Sequence, residues 1–214
     1  MGINKLAVVG ATGNVGREML NILSERDFPC EEVIALASER SEGDAVPFGN
    51  KELIVQNLSS YDFSETSIAL FSAGGQISEV YGPIAAEQGC IVIDNSSKFR
   101  MDNDVPLIVP EVNIEMLEHY RTTNIIANPN CSTIQMVVAL KPLEDLASIN
   151  RINVSTYQST SGAGKAAMEE LFNQTKGIFS NQEVQPESFT KQISFNVIPQ
   201  IGPFLENGNT EEEQ

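Results

Sequence analysis

The sequence predicts an α/β fold in which helices cover a doubly wound parallel sheet, followed by a second, α+β part. In the first half of the chain, short runs rich in β-branched residues alternate with helical stretches, as they do in a parallel sheet covered by helices. A glycine-rich turn, GATGNVG at 10–16, directly follows the first run and opens a helical stretch. This arrangement of strand, turn and helix is typical of the Rossmann-like dinucleotide-binding fold.

Five strands are predicted in this first half, with two helices between them. The strands are KLAVVG (5–10), EVIALA (32–37), ELIVQN (52–57), SIALFSA (67–73) and CIVIDN (90–95). The period of the apolar residues predicts helices over 15–26 and 77–88. The predicted apolar face of the first helix comprises Val15, Met19, Ile22 and Leu23.

The pattern changes after residue 127, so we predict two domains, 1–127 and 128–214. The second would begin with a buried helix directly after Cys131, because an apolar run, IQMVVAL, follows this residue. A strand over 148–160 and a helix over 163–175 come next. The stretch 177–192 is rich in Gly, Asn, Gln and Pro, which favours an exposed loop or linker.

Composition excludes several classes of function. The 214 residues include 29 Asp plus Glu but 13 Lys plus Arg, a formal charge of −16, which repels nucleic acid and anionic membrane surfaces. No apolar run approaches the length of a membrane span of about 18 residues. Three cysteines without a CxxC pair make a disulfide framework or a metal site unexpected. The start of the chain does not resemble a signal sequence, so we expect a cytoplasmic protein.

The turn GATGNVG is the strongest local motif. Glycines at 10, 13 and 16 permit a tight turn, bring the main chain close to a phosphate and let the helix pack on the strand. The N-terminus of the helix supplies amide groups to a pyrophosphate. The alternative is an ordinary turn from strand to helix. Because the turn stands between a predicted strand and a predicted helix, we favour a dinucleotide site that includes Gly10 and Gly13.

The segment after the second predicted strand indicates which dinucleotide would bind. An NAD enzyme usually has an acidic residue there for the ribose 2′-hydroxyl, whereas an NADP enzyme has cations and small donors around the 2′-phosphate. The segment reads LASERSEG. Ser38, Arg40 and Ser41 favour NADP, whereas the acidic Glu39 favours NAD. The alternative is that Arg40 is a loop charge that contacts only water.

Two further loops follow predicted strands of the sheet. FSAGGQ at 71–76 would bring main chain near a ligand around Gly74, or would be a purely structural turn. IDNSSKFRM at 93–101 places cationic residues at the carboxyl edge of the sheet, where open α/β sheets bind ligands. Arg100 is the candidate for a bidentate phosphate or carboxylate contact. A surface arginine that covers apolar neighbours is the alternative.

Cys131 is the candidate nucleophile. It stands in NPNCST at the predicted start of a helix, where backbone amides and the helix dipole stabilise a thiolate and an oxyanion. Asn130 would cap this helix, bind the substrate, or do both. Cys30 and Cys90 are interpreted as buried and inert.

Three other residues are weaker candidates. Gln158 ends the predicted strand before the small-residue turn SGAG at 161–164, where it could orient a carbonyl or simply bind the backbone. Lys165 falls in the first turn of the next helix, an unfavourable place for a cation. His119, the single histidine, is predicted to be exposed on a short helix capped by Asn113.

Seven motifs together resemble one family. GATGNVG, ASERS, SAGG, DNSSKFR, NPNCST, YQSTSGAGK and FNVIPQIGPF occur in this order, and the chain resembles the bacterial aspartate-semialdehyde dehydrogenase family from residue 5 to its last residue. The related N-acetyl-glutamyl-phosphate reductases typically carry Asn-Pro-Gly-Cys-Tyr in place of NPNCS. The resemblance implies a dinucleotide-binding domain followed by a catalytic and dimerisation domain, here incomplete. It also implies a homo-oligomer, a dimer or a dimer of dimers.

The resemblance implies a reaction and a role for individual residues. L-4-aspartyl phosphate would be reduced by NADPH to L-aspartate 4-semialdehyde with release of phosphate, a step toward lysine, methionine, threonine and isoleucine. Cys131 would form the thioester, Arg100 would bind the phosphate, and Asn130 and Gln158 would position the acyl group. The role of Lys98 stays open. The residues implied to contact NADP are Thr12, Gly13, Asn14, Val15, Arg40, Ser41, Ser161 and Gly162.

The family also has features that we expect to lie beyond these residues. Its members are longer, and their catalytic histidine and a substrate-binding arginine would follow the last motif. We do not expect His119 to replace that histidine. Glu212 would contact substrate or belong to a frayed end. We therefore expect the chain alone to bind NADPH but to turn over little substrate. The alternatives are a non-catalytic NADP-binding or dimerisation module and an enzyme like the N-acetyl-glutamyl-phosphate reductases.

Overall fold

A computed structural model describes residues 3–182 and 184–210, so Glu212 lies outside the described residues. The chain divides into two compact units, Met1–Thr156 and Tyr157–Gln214. The strands are β1 (Ile3–Val9), β2 (Cys30–Ala37), β3 (Ala45–Phe48), β4 (Lys51–Ile54), β5 (Gln56–Asn57), β6 (Thr66–Phe71), β7 (Ile91–Asp94) and β8 (Ile125–Ala127). The α-helices are α1 (Asn14–Glu25), α2 (Gly75–Glu87), α3 (Pro110–Asn113), α4 (Cys131–Glu144) and α5 (Lys165–Phe179).

The first unit is built on one parallel sheet of six strands. Their order is β5-β2-β1-β6-β7-β8, and every neighbouring pair is parallel. The chain runs outward from β1 through β2 to β5, then returns to β6 on the other side of β1. This reversal beside β1 is the switch point at which doubly wound sheets bind ligands. The predicted Rossmann-like fold is confirmed.

Alternate residues of β1 pack into two hydrophobic clusters, one on each face of the sheet. Ala7 and Val9 belong to a buried cluster that includes Ala85 of α2. Leu6 and Val8 face the other side, in a second buried cluster with Leu20 of α1. Successive residues of a strand point to opposite faces, so a strand buried on both faces needs a continuous apolar run such as LAVV.

The first helix packs only in part through the predicted face. Its buried residues are Gly16, Leu20 and Leu23, and Met19 packs against the same cluster, whereas Val15 is 46% exposed and Ile22 39% exposed. The predicted face therefore includes two packed residues, Met19 and Leu23, but omits Leu20. Gly16 is buried because it lies against the carbonyl of Gly10, where a side chain cannot fit.

Two predicted strands are wrong. ELIVQN is split, because β4 pairs antiparallel with β3 while β5 joins the sheet beside β2. The buried Val55 separates the two strands and exchanges backbone hydrogen bonds with Gly43 and Asp44. No strand forms over 148–160, where residues 150–159 are exposed. A strand requires a neighbouring backbone to bond, and none of the described residues pairs with this segment.

The helices of the second half are at the predicted places, but their surroundings differ. No residue of α4 is fully buried, so the predicted buried helix is in fact a half-exposed one. The side chain of Asn113 does not cap the helix that follows it, because it binds the backbone of Val109 and Leu107 instead. The predicted domain boundary after residue 127 coincides with the end of β8, while the first compact unit continues to Thr156. That boundary stays a prediction.

The predicted loop after α5 is irregular and mostly exposed from Ser180 onward, while 177–179 still belong to α5. It is not a free linker, because buried side chains of α5 hold its backbone. Glu170 accepts backbone N–H bonds from Glu187 and Ser188. Burial raises the pKa of this carboxyl, but the N–H donors outweigh burial and leave the pKa lowered. No described helix is both long and apolar enough to cross a membrane.

The contact between Gly16 and the first turn predicts a large effect of a small substitution. A Cβ at Gly16 would lie 2.2 Å from the carbonyl oxygen of Gly10. We expect Gly16→Ala to lower the free energy of unfolding by about 1–3 kcal/mol, the usual cost of overpacking, as measured by urea denaturation. Gly75→Ala is the matched control, because its Cβ would meet no atom closer than 3.9 Å. Equal stability of both variants would contradict this account of the turn.

Candidate active site

The candidate residues of the first unit lie in loops at the carboxyl edge of the sheet. These loops follow β1, β2, β6, β7 and β8, and four of them are in contact in the order in which the strands lie. A Cβ at Gly10 would be 3.0 Å from the backbone of Ala73, after β6. One at Gly75 would be 3.9 Å from the Cβ of Lys98, after β7. Arg100 in turn bonds the carbonyl of Asn128, after β8. The loops after β1, β6, β7 and β8 therefore form one continuous surface.

The turn after β1 has the geometry of a phosphate-binding loop. Gly10 has φ +86°, a conformation that favours glycine, and its amide donates to the carbonyl of Leu36 at 2.8 Å. Helix α1 begins at Asn14, and no side chain caps it. The first amides of a helix have no partner within the helix, and a helix that begins in this way, here at Asn14 and Val15, can receive an anion. Thr12 and Gly13 lie just before this helix.

The segment after β2 forms a short 3-10 helix, Glu39–Ser41, that begins after Ser38. The amide of Ser41 donates to the carbonyl of Ser38 at 2.9 Å, which brings the two serines to the same turn. The side chain of Arg40 is exposed. None of the hydrogen bonds or ion pairs among the described residues involves its guanidinium. The turn can therefore present a cation and two hydroxyl groups to an anion.

The loop after β6 begins with Ser72, whose amide and hydroxyl both donate to the carbonyl of Val9, at 2.9 and 3.0 Å. Gly74 follows with φ +90° and precedes the uncapped start of α2. No atom lies within 4 Å of the position that a Cβ at Gly74 would occupy. The main chain at Gly74 thus borders open space beside the turn after β1, as a cofactor-binding loop requires.

Arg100 joins the ends of two strands. Its Nε donates to the carbonyl of Asn128 at 2.9 Å, and its terminal nitrogen donates to the carbonyl of Asn95 at 3.2 Å. The side chains of Asn128 and Asn95 are bonded to each other at 2.6 Å. Since a guanidinium is planar and carries five N–H groups, these two bonds to backbone fix the orientation of its plane. Arg100 is partly buried, unlike a surface arginine that only meets water.

A buried acidic residue supports this loop, and the sequence prediction missed it. Asp94, at the end of β7, is fully buried. Its two carboxylate oxygens accept the hydroxyl groups of Ser78 and Ser96, at 2.5 and 2.6 Å. The signal in the sequence was an acidic residue at the end of an apolar strand with a serine two positions later, a combination that indicates a satisfied buried carboxylate.

Cys131 is the first residue of α4, and its side chain is exposed. Asn130 is the N-cap, and its Oδ1 accepts the amide of Thr133 at 2.7 Å. The capping role that the sequence predicted for Asn130 is therefore observed. Because Asn128 bonds Arg100 three residues before Cys131, the candidate anion-binding residue and the candidate nucleophile are held by one short segment.

The other cysteines differ from Cys131 as predicted, to different degrees. Cys90 is fully buried, and burial raises its pKa to about 12. Cys30 is half-buried, and burial also raises its pKa. Both thiols stay protonated at neutral pH, so neither is suited to nucleophilic attack.

The remaining candidates of the second unit are close to one another. Gln158 packs over Gly162, where an added Cβ would lie 2.5 Å from its amide group. The hydroxyl groups of Ser159 and Ser161 are 2.6 Å apart, and all four residues are at or beside the 3-10 helix Thr160–Ala163. Lys165 begins α5 and lies 3.6 Å from Glu169, an exposed pair of little energetic value.

Two further basic side chains of the first unit, those of His119 and Lys98, lie at the surface. His119 is exposed on the 3-10 helix Ile114–Thr122, as predicted. Lys98 forms an ion pair with Glu79 of α2. This pair ties the loop after β7 to α2 and occupies the ammonium group of Lys98.

The chain matches the models of both domains of one family. Residues 5–120 match "Semialdehyde dehydrogenase, NAD binding domain", and residues 140–214 match "Semialdehyde dehydrogenase, dimerisation domain". The chain is 56% identical to aspartate-semialdehyde dehydrogenase 2 of Vibrio cholerae over 208 residues, which cover 97% of this chain and 62% of the relative. It thus spans about 62% of the length of the curated relatives it matches.

Solved structures agree with this match. The crystal structure of aspartate semialdehyde dehydrogenase II from Vibrio cholerae complexed with ASA has a TM-score of 0.96 and 54% identity, and the match covers 100% of this chain and 63% of that one. Aspartate semialdehyde dehydrogenase from Candida albicans, crystallised with NADP, has a TM-score of 0.61 and 26% identity, over 69% of this chain and 48% of that one. With more than half of its residues matched by the first domain model, the chain belongs to the semialdehyde dehydrogenase family.

Proposed function

We propose that this chain carries the NADP site and the nucleophile of an aspartate-semialdehyde dehydrogenase. The reaction would be the reductive dephosphorylation of L-4-aspartyl phosphate to L-aspartate 4-semialdehyde. One observation carries the proposal: the segment after β8 places Cys131 at the start of α4 and binds Arg100 through Asn128. A thiol on one segment, with a guanidinium from the neighbouring loop bonded to that same segment, is what attack on an acyl phosphate requires.

The chain supplies most of what the first half of this reaction needs. After the thiol proton has passed to solvent, the Sγ of Cys131 attacks the acyl carbon as the thiolate, a carbon–sulfur bond forms, and the bond from that carbon to the phosphate oxygen breaks. Arg100 holds the leaving phosphate, and the first amides of α4 stabilise the negative charge on the carbonyl oxygen. Asn130 and Gln158 would position the acyl group. NADPH, when bound, supplies the hydride that turns the resulting thioester into the aldehyde.

The residues present fit a dinucleotide. The main chain at Gly74 borders open space, Gly10 allows the turn after β1 to lie against the backbone of Ala73, and α1 begins without a side-chain cap. Thr12, Gly13, Asn14 and Val15 would contact the pyrophosphate, with Ser161 and Gly162 further along the cofactor. The choice of NADP rests on Arg40, Ser38 and Ser41 after β2, and a relative from Candida albicans was crystallised with NADP.

The relatives also favour this reaction over the alternatives. Those matched over 97% of this chain are named aspartate-semialdehyde dehydrogenases, which does not favour a reductase acting on N-acetyl-glutamyl phosphate. The match to a dimerisation domain supports a homo-oligomer as the working form. We propose the cytoplasm as its location and amino-acid biosynthesis as its setting.

The NADP proposal predicts a specific loss of affinity. Arg40→Ala removes a cation that would meet the 2′-phosphate, a group that NADH lacks. We expect the dissociation constant for NADPH to rise about tenfold, equivalent to ~1.4 kcal/mol, while that for NADH does not change, both measured by nicotinamide fluorescence. Arg26→Ala is the matched control, because Arg26 is an exposed arginine at the other end of α1. If Arg40→Ala weakens the binding of NADH as much as that of NADPH, Arg40 does not contact the 2′-phosphate.

The thioester proposal predicts a covalent adduct on one cysteine. After incubation of the chain with L-4-aspartyl phosphate without NADPH, we expect the intact mass to increase by one aspartyl group. Peptide mapping should place it on Cys131, and Cys131→Ala should abolish it. Cys30→Ala is the control and should leave the adduct in place, since burial keeps the Cys30 thiol protonated. An adduct that persists in Cys131→Ala would contradict the assignment of the nucleophile.

A further inference from the structure

Asp94 is a buried carboxylate that the proposed reaction does not use. It ends β7 with its side chain fully buried. Among the described residues no cation forms an ion pair with it. Its partners are two hydroxyl groups, from Ser78 on α2 and from Ser96 in the loop after β7. Burying a charge costs free energy unless hydrogen bonds compensate it, and here the two serine hydroxyl groups supply those bonds.

The chemistry of a carboxylate fixes the direction of these hydrogen bonds. A carboxylate accepts on both oxygens, whereas an asparagine in its place would accept on one atom and donate on the other. Both serine protons are therefore directed at Asp94. The oxygen of Ser96 is left as an acceptor, and it accepts the amide of Lys98 at 3.1 Å. Asp94 thereby sets the first turn of the loop 95–100.

Helix α2 holds this loop at a second point. Phe99 is buried, and its ring lies against Gly82, where an added Cβ would be 3.2 Å away. Ser78 and Gly82 are four residues apart, so they lie on the same face of α2. Arg100 follows Phe99 directly and bonds the carbonyls of Asn95 and Asn128. The loop that carries Arg100 is thus fixed at its start by Asp94 and at its end by Phe99.

We propose that Asp94 is a positioning residue of the phosphate site. Through Ser78 and Ser96 it fixes the loop that aims Arg100 at the phosphate. This inference rests on the proposed function, because it assumes that Arg100 binds the phosphate group. It goes further, since it predicts that a buried carboxylate with no contact to substrate controls phosphate affinity.

The test compares the affinities of the chain for inorganic phosphate and for NADPH. Asp94→Asn has the same size but turns one acceptor into a donor, so one of the two serine hydroxyl groups loses its acceptor. We expect phosphate to bind about tenfold more weakly, as misplacement of a binding group does, by ³¹P NMR titration. The affinity for NADPH should change by no more than about twofold, because a change at one site does not alter the free energy of binding at an independent site. Hydrogen exchange at the Lys98 amide should become faster.

Three further variants make the outcome decisive. Ser78→Ala removes one hydroxyl but keeps the carboxylate, and should weaken phosphate binding in the same direction even if Asp94→Asn does not fold. Thr66→Val is the control. It removes the buried hydroxyl group of Thr66, at the start of β6, which bonds the hydroxyl group of Tyr61, and it should leave the affinity for phosphate unchanged. Arg100→Ala should abolish phosphate binding.

The results separate two failures. If Arg100→Ala removes phosphate binding while Asp94→Asn and Ser78→Ala bind phosphate as the unchanged chain does, the role of Asp94 is overturned and the proposed function stands. If the chain does not bind phosphate, or Arg100→Ala binds it unchanged, the phosphate site is wrong and the inference fails with it. If Asp94→Asn lowers the affinities for phosphate and for NADPH equally, the role of Asp94 is purely structural, and this result would also overturn the proposal.

Discussion

All six strands of the sheet run in the same direction, and therefore all of them end at the same edge. This constraint places the loops after β1, β2, β6, β7 and β8 side by side. The loops can touch because glycine stands where they approach most closely: Gly10 lies against Ala73, and Gly16 lies against Gly10. A chain with these loops but an antiparallel sheet would divide them between two edges, and no single surface could hold a dinucleotide and an acyl phosphate together.

Groups at the same edge explain how a chain with a large negative charge could bind anions. The chain has a formal charge of −16, yet both proposed ligands are anions. Helices α1, α2 and α4 each begin at this edge, and the N-terminus of a helix carries a partial positive charge. Arg40 and Arg100 add two full charges in loops of the same edge. The local field is thus set by these groups, while the acidic residues repel anions from the rest of the surface.

Local chemistry explains which features the sequence could predict. The turn GATGNVG and the N-terminal position of Cys131 depend on a few consecutive residues, and both are observed. The split of ELIVQN depends on which distant strand each half meets, and the unformed strand over 148–160 has no described neighbour to bond. The buried face of α1 was predicted only in part, because the apolar pattern included the exposed Val15 and Ile22 and omitted the buried Leu20. The bond from Arg100 to Asn128 joins residues 28 positions apart, which a local pattern cannot reveal.

A crystal structure of the chain with NADP and inorganic phosphate would test the central claim most directly, namely that the carboxyl edge holds both anions. The account predicts phosphate between the guanidinium of Arg100 and the start of α4, within reach of Cys131. It also predicts the pyrophosphate at the start of α1 and the 2′-phosphate beside Arg40. Phosphate bound away from Arg100, or a dinucleotide bound away from the turn after β1, would contradict the account.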